Sequence, residues 1–506
     1  MTISRPVSHA RSYLPHRTKL CIALGMTLGL TGVAYGQSTT GTIFGTAPVA
    51  SGETVLIQSS TGVSREVPVD SSGRYSASRL PLSSYTVTLK RDGTALDSRQ
   101  GVTLTVGAGT QVSFAGVAGG TTDLKGLTVT ANALPAIDVS QVDTRTVITA
   151  EQLKKLPIAR SAESIAILAP GVNTGSGYYT SPTGQTLVSF GGSSVAENAY
   201  YINGFNTTDP LHNFGGLTLP YGSIDQEQVL TGGYGAAYGR SDGGVLSMVG
   251  KHGNNDWHFG ASETWVPSGL QSSPRNAFYP RGPQYLTGPN SAQGQIYQYR
   301  KNNTAWSHIE DVYIGGPLIK DKLFFFGSVE ADHQVSGDTT ANVSTLTDTS
   351  YSISSPKWYA KLDWNITDNN ILELTGASNK TNFSGNTYSY AYTPGQNQGT
   401  RGAFLGPATH TKDGADLWVA KYTGYITDSL TVEALYGRMK QTNYSRAAGG
   451  SDAYIAGAQY QNPAYLAGPP VVGPQIDQTF SDPRANDKTS NLRLDINYKI
   501  GNHSIT

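Results

Sequence analysis

Cysteine is almost missing from these 506 residues. The one thiol, Cys21, sits in the leader-like N-terminus, so the chain beyond it has no disulfide, cysteine-ligated metal or thiol nucleophile. Charge is scarce as well: charged residues are 14% of the chain, and 36 Lys plus Arg cancel 36 Asp plus Glu. No global field steers nucleic acid or acidic substrates, which argues against a nucleic-acid partner. None of the nine histidines opens an H-x-x-E, the close pair a zinc peptidase needs; His308/Asp311 and His410/Asp413 are H-x-x-D pairs in strand or loop sequence. No metal or cofactor is expected. Beyond Gln37 there is also no apolar run of about 18 residues, so no membrane-spanning helix is predicted. An exported chain lacking one is either soluble or a β-barrel.

Glycine (59) and tyrosine (29) are abundant, a composition suited to many strands and turns. Arg5, Arg11, Arg17 and Lys19 precede an apolar segment over 20–33 and small residues near Ala34-Tyr35-Gly36, which reads as a secretory signal over 1–37. Cys21 precedes most of that apolar run, which argues against a lipoprotein anchor. Residues 38–118 alternate as short strands at 42–44, 53–58, 64–69, 85–90, 102–106 and 110–114. Turn signals such as Ser71-Ser72-Gly73 and Arg91-Asp92-Gly93 fall between them, and this spacing predicts a small antiparallel sandwich.

Gly119-Gly120-Thr121-Thr122 reads as a joint, and a short extended piece containing Leu127, Thr128, Val129, Thr130 and Ala131 follows within a 119–135 linker. Thr149 to Gln152 forms a capping box that opens a helix ended by Pro157, and 161–168 reads as a second helix stopped by Pro170-Gly171. Strands are predicted at 187–190, 198–202, 227–230 and 245–249. Between the last two lies a corner dense in glycine, including Gly233, Gly239, Gly243 and Gly244. Gly239-Arg240-Ser241-Asp242-Gly243 fits the hydrolase elbow pattern, but a β-branched run follows it where a nucleophile elbow needs a helix. Residues 233–239 mimic a dinucleotide loop yet open no helix. No catalytic residue is assigned.

From Asp256 the organisation changes. Short polar turns near Lys320-Asp321, 367–370, Thr427-Asp428 and Gly501-Asn502 alternate with long loops over about 268–306, 335–354, 380–414 and 440–487. Short turns on one side and long loops on the other mark a transmembrane barrel. In 357–366, Trp358, Ala360, Leu362, Trp364 and Ile366 share one face, and Lys357, Tyr359, Lys361, Asp363 and Asn365 the other. In 491–500, Leu492, Leu494, Ile496, Tyr498 and Ile500 oppose Arg493, Asp495, Asn497 and Lys499. A one-residue slip would turn these charges into lipid. Trp358, Trp364, Trp418, Tyr425 and Tyr498 fit interfacial girdles. About eight strands and the start of a ninth are expected, fewer than the 22 of plugged transporters, so a truncated barrel is expected.

Several stretches resemble TonB-dependent outer-membrane receptors of the Oar-like group. QVLTGGYGAAYGRSDGGVLSMVGK, ending at Lys251, is similar to the end of their plug domain; KKLPIARSAESIAILAPGV is similar to the plug's two-helix passage, and YYINGFN to a further plug element. DSSGRYSASRLPLSSYTVTL resembles the core of the carboxypeptidase-regulatory-like domain that precedes some plugs, with Ser83-Ser84 where glycine is usual. The resemblance implies that 127–131 is a TonB box, captured by β-strand addition, and that Gly233, Tyr238, Gly239, Arg240, Gly243 and Gly244 are structural plug residues. The arginine of a familiar plug-locking element is replaced in Val188-Ser189-Phe190-Gly191-Gly192, which leaves Arg240 as the candidate for a plug-to-wall ion pair. Tyr178, Tyr179, His212 and Phe214, in plug loops, are ligand-binding candidates.

The chain is therefore expected to be mainly β: an N-terminal β-sandwich (38–118), a linker (119–135), an α+β plug domain (136–254) and the first part of a transmembrane antiparallel β-barrel (255–506). The implied role is energy-coupled import of an extracellular ligand in the bacterial outer membrane, with TonB and outer-membrane lipid as partners. The alternative is an adhesion or matrix-interaction protein whose loops bind without transport.

Overall fold

The computed structural model describes residues 39–114, 143–156, 158, 160–175, 187–235, 238–239, 241–272, 274–278, 296–298, 300, 303–342, 345–392, 399–407, 410–446, 486–500 and 503–505. The leader, the linker with residues 127–131, and Arg240, Tyr178 and Tyr179 lie outside them.

The first described unit is two facing sheets. One holds Arg74–Pro81, Thr40–Thr46 and Gly109–Gln111; the other runs Ser64–Pro68, Glu53–Ser59, Ser84–Arg91, Thr94–Thr103. Every second residue of Glu53–Ser59 and Ser84–Arg91 is buried, so Val55, Ile57, Tyr85, Val87 and Leu89 meet Ile43 and Leu80 from the opposite sheet. Two strands differ from the sequence reading. Arg74–Pro81 alternates only weakly in its side chains, and Thr94–Thr103 is an exposed edge with polar residues on both faces, so neither carries a strong period-two signal.

The next unit is a five-stranded sheet in the order Phe205–Asn206, Ala199–Ile202, Val245–Gly250, Ile224–Gly232, Thr144–Thr149. Ala199–Ile202 runs parallel to Val245–Gly250; the other pairings are antiparallel. The capping box forms, with Thr149 and Gln152 satisfying each other's backbone N–H groups. Its helix is only Ala150–Leu153, and the second, capped by Ser161, is Ala162–Ala166. Val245–Gly250 is buried on both faces, as a strand flanked on both sides within a filled bore must be.

The third unit is a single antiparallel sheet. Its wall strands, in chain order, are His258–Val266, Thr304–Ile319, Leu323–Asn342, Lys357–Thr367, Asn370–Tyr392, His410–Tyr425, Leu430–Arg446, Asn486–Ile500 and His503–Ile505. Eight strands and the start of a ninth agree with the expected count. Much of what was expected as loop is ladder instead. Thr345–Ser354 pairs with the far part of Leu323–Asn342, and Gly399–Pro407 with the far part of Asn370–Tyr392. Neither segment alternates apolar with polar along its length: Thr345–Ser354 is mostly Ser and Thr, and in Gly399–Pro407 Phe404 and Leu405 are adjacent, which hides a strand from a reading based on alternation.

The facing of the wall decides its surroundings. Leu492 and Leu494 are 78% and 61% exposed, and Ile496, Tyr498, Ile500, Trp364, Ile366 and Trp418 also point outward. Lys357, Lys361, Glu330, Lys421 and Glu433 point inward and are buried. A soluble sandwich would bury the apolar row; here the polar row is covered and the apolar row is bare, the arrangement of a barrel wall in lipid. Tyr425 departs from the girdle reading: it is turned inward and packs with Val63 and Ile371. Among the described residues no helix is long and apolar enough to cross a membrane.

Leu494→Lys on the bare row should cost roughly 2–4 kcal/mol of folding into lipid vesicles. Asn497→Leu on the opposite face should cost far less. Urea titration of the folded, heat-modifiable form measures both.

Candidate functional site

The site is the contact between the five-stranded unit and the inner face of the wall. Its elements begin with the glycine corner between Ile224–Gly232 and Val245–Gly250. Gly233 has φ +70°, a conformation that side chains with a Cβ rarely adopt. A Cβ on Gly244 would enter the ring of Phe190. Tyr234 donates to the Gly243 carbonyl at 2.8 Å, and its ring meets Tyr238 edge-on at 6.0 Å; Tyr238 in turn meets Tyr201 at 5.6 Å. Gly239 has a positive φ, and Gly243 lies against Asn198, which also receives the Gly244 N–H at 3.1 Å. The corner is thus a packed aromatic knot.

Ser241 belongs to the same knot. Its hydroxyl lies 2.8 Å from the Gly244 carbonyl, 3.2 Å from that of Glu197 and 3.0 Å from the Tyr234 hydroxyl oxygen. No histidine is among these partners, and the glycines after it lead into a strand.

Among the described residues, polar contacts join the plug to the wall at three places, beside an apolar cluster that Ile202, Phe205 and Leu217 share with Phe326, Leu417 and Leu435 of the wall. Glu330, fully buried, pairs with Lys357 at 2.5 Å, accepts from the Tyr221 N–H at 2.9 Å and has the Arg160 guanidinium at 3.8 Å. Arg160 also donates to the Thr264 hydroxyl at 2.9 Å and lies over the Tyr221 ring. The second contact is the two-residue turn Asn203-Gly204, both at positive φ, the pairing that hairpins of this length favour. Asn203 donates to Tyr359 Oη at 3.1 Å and Thr375 Oγ1 at 3.0 Å, and accepts from the Gly250 N–H at 2.9 Å. The third is Lys251, which donates to the Gly222 carbonyl at 2.5 Å and lies over Tyr313. Burial holds its ammonium below the usual lysine range.

Arg240 was the expected partner for a plug-to-wall ion pair and lies outside the described residues. The plug-to-wall ion pair that the structure does describe uses Arg160. Sequence reasoning missed it because Arg160 is one letter within a helix-opening passage. The available signal is Glu330 standing opposite Lys357 in the ladder, which becomes readable only once the register is known.

Of the ligand-binding candidates, His212 and Phe214 are brought together. Their rings stack with centroids 6.3 Å apart, and His212 Nδ1 lies 2.7 Å from Asp209. His212 is partly exposed, whereas Phe214 is buried with Leu187 and Val195. Deeper in the plug, Glu227 and Glu163 are both buried, and neither oxygen of Glu227 has a hydrogen bond. Burial pushes both carboxyls above the usual range, Glu227 well above it, and the nearby Glu163 raises Glu227 further.

Residues 138–245 match the family model described as the TonB-dependent Receptor Plug Domain. The chain is 26% identical over 328 residues to the TonB-dependent transporter Oar of Myxococcus xanthus, covering 61% of this chain and 28% of that one. The chain therefore spans little more than a quarter of this curated relative's length. Two solved structures are similar: the outer-membrane transporter YddB from Escherichia coli (12% identity, TM-score 0.39, 70% of this chain and 54% of the other) and a ferric enterobactin receptor from Pseudomonas aeruginosa (13% identity, TM-score 0.36, 60% and 50%).

Glu330→Ala should strip Lys357 of its buried partner and cost about 3–5 kcal/mol, more than Arg160→Ala, since Arg160 is partly exposed. Chemical denaturation of the purified protein checks the order. Glu227 binds its proton more tightly folded than unfolded, so its contribution to stability is complete in acid and is lost as pH rises past the ordinary carboxylate range. Glu227→Gln should therefore raise the melting temperature at pH 8 and change it little at pH 4, as near-UV circular dichroism would record.

Proposed function

We propose that this chain, a TonB-dependent receptor by its plug domain and its Oar relative, lies in the bacterial outer membrane and imports a ligand by energy-coupled movement of the plug. One observation carries the reading: a small sheet is lodged against the polar face of a wall whose other face is bare and apolar. The hydrogen bonds and ion pairs among its attachments can exchange their partners for water when it moves, while the apolar cluster that Phe205 and Leu217 share with Leu417 and Leu435 must be uncovered.

The extracellular ligand meets the plug from the side of the long hairpins. His212, with Tyr178 and Tyr179, is the proposed contact, while Phe214 backs His212 from below. On the periplasmic side, Leu127 to Ala131 acts as the TonB box, presenting main-chain groups to a TonB-type protein by strand addition. The N-terminal two-sheet unit is a carboxypeptidase-regulatory-like domain by its resemblance. The tall hairpins, in which the strands Leu323–Asn342 and Asn370–Tyr392 run on past their neighbours, also suit the adhesion reading, in which large surfaces are gripped and nothing passes.

Deleting 127–131 from the full-length receptor separates the two. With the small molecule that co-purifies with the receptor as probe, uptake should fall to background while binding to intact cells is kept. Unchanged uptake would sink the box assignment, and binding without uptake in the undeleted receptor would favour adhesion.

A further inference from the structure

The inner face of the wall carries a row of charged side chains that the plug does not complete. Asp363 pairs with Lys361 at 3.1 Å, Lys361 with Glu373 at 2.8 Å, Glu373 with Lys421 at 3.1 Å, and Lys421 approaches Glu433 at 3.9 Å. The wall thus supplies three carboxylates against two ammonium groups, all largely withdrawn from solvent. The third cation is Arg79 of the N-terminal unit, which pairs with Glu433 Oε2 and makes the row alternate in sign from end to end.

Arg79 is delivered by an irregularity built for the purpose. Along Arg74–Pro81 the pairing with Thr40–Thr46 slips between Gly41 and Ile43, and Arg79 sits in the slip at φ +60°. A side chain with a Cβ seldom adopts this conformation, and bulges of this kind re-aim a side chain away from its sheet. Other contacts surround the pair. The Arg65 guanidinium lies over the Tyr425 ring at 4.2 Å, Tyr425 donates to the Arg79 carbonyl at 2.6 Å, Asn365 donates to the Thr61 carbonyl at 2.7 Å, and Val63 packs with Ile371 and Tyr425.

The same unit also grips the plug. Gln226 accepts from the Val106 N–H at 2.9 Å and donates to the Leu104 carbonyl at 3.0 Å; Gln228 reaches the Val106 carbonyl at 3.4 Å. Arg145 donates to the Gly107 carbonyl, and Val249 of the plug joins the two-sheet unit's own apolar core. Where the three parts meet, a small cavity is lined by Thr39, Asn203, Val249, Lys361, Glu373 and Lys421.

We propose that the N-terminal two-sheet unit is a latch, docked on the short-turn side of the wall through Arg79 and Glu433, that ties plug to wall and must undock before the plug can move. The proposal rests on the receptor reading above. It assigns to the N-terminal unit a closed state in which it guards the plug, and to Arg79 the role of completing the wall's charge row.

Cys21 is the only cysteine in these residues, so paired cysteines report cleanly. In full-length receptor in isolated outer membranes, Thr61→Cys with Asn365→Cys should cross-link on oxidation. Separately, Val249→Cys should react slowly with a maleimide. Adding Arg79→Glu, which sets two carboxylates together, should lower cross-linking and speed labelling by about tenfold each. Arg79→Glu with Glu433→Arg should restore both, and Arg79→Gln should fall between. Heat-modifiable migration identifies variants whose wall has assembled, and only those are compared. Absence of the cross-link in the parent pair, or identical yields and rates in the Arg79→Glu, Arg79→Gln and parent proteins, overturns the latch. Neither readout uses ligand or TonB, so their outcome is independent of the box-deletion assay.

Discussion

The constraint from which the structure follows is the inverted facing of the wall. With the apolar rows turned outward, Lys357, Lys361, Lys421, Glu330, Glu373 and Glu433 of the wall strands are turned inward and largely withdrawn from solvent. Withdrawing an ion from water costs several kcal/mol unless an opposite charge and hydrogen bonds replace what is lost. Whatever covers these inward charges must therefore offer polar groups of complementary charge. Glu330 finds Lys357, Arg160 and the Tyr221 N–H; Glu433 finds Arg79; Tyr359 finds Asn203. The plug answers the wall in two ways: polar side chains meet its charges, and Ile202, Phe205 and Leu217 join Phe326, Leu417, Leu435 and Met439 of the wall in one buried apolar cluster.

That division of labour allows a domain to be firmly folded and weakly fixed. Val229, Leu230, Val245 and Leu246 are fully or almost fully buried within the plug sheet and its aromatic knot, so the sheet holds together by area removed from water. Its polar attachments to the wall are discrete and each replaceable by water, beside an apolar contact in which Phe205 and Leu217 share a cluster with Leu417 and Leu435. Breaking them separately costs little compared with unfolding the sheet. The buried Glu227, without a hydrogen-bond partner, shows that even the plug's interior is not optimised for stability alone.

Legibility in the sequence followed the physics of each element. The strands Lys357–Thr367 and Asn486–Ile500 were readable because a period of two, with charge on one face and bulk on the other, admits one register. The glycine corner was readable because its backbone requirement is local. Arg160 and Glu330 were not, since their meeting depends on a sheet register and a chain excursion of well over a hundred residues. Arg79 was hidden by the slip that makes it useful: a residue aimed out of its sheet breaks the alternation by which strands are recognised. Tyr425 was read as a girdle residue because a strand-end tyrosine looks the same in sequence whether it faces lipid or an incoming arginine.

The order in which the parts can separate follows from how the chain threads them. The two-sheet unit precedes the plug in the chain, so a load applied to the segment that joins them reaches both. On the plug side it meets Thr144–Thr149, an edge strand paired only with Ile224–Gly232, with Thr144 opposite Gly232 and Thr149 opposite Gln226. An edge strand held along one side yields pair by pair and needs less force than a central one. The last pair in that sequence contains Gln226, the residue whose side chain also clasps Leu104 and Val106. As long as the two-sheet unit stays docked through Arg79–Glu433 and through its Thr61–Asn365, Arg65–Tyr425 and Val63–Ile371 contacts, the far end of the edge strand is pinned from beneath. The ladder and the clasp thus meet at Gln226, so a load that opens the first along its length is resisted last by the second.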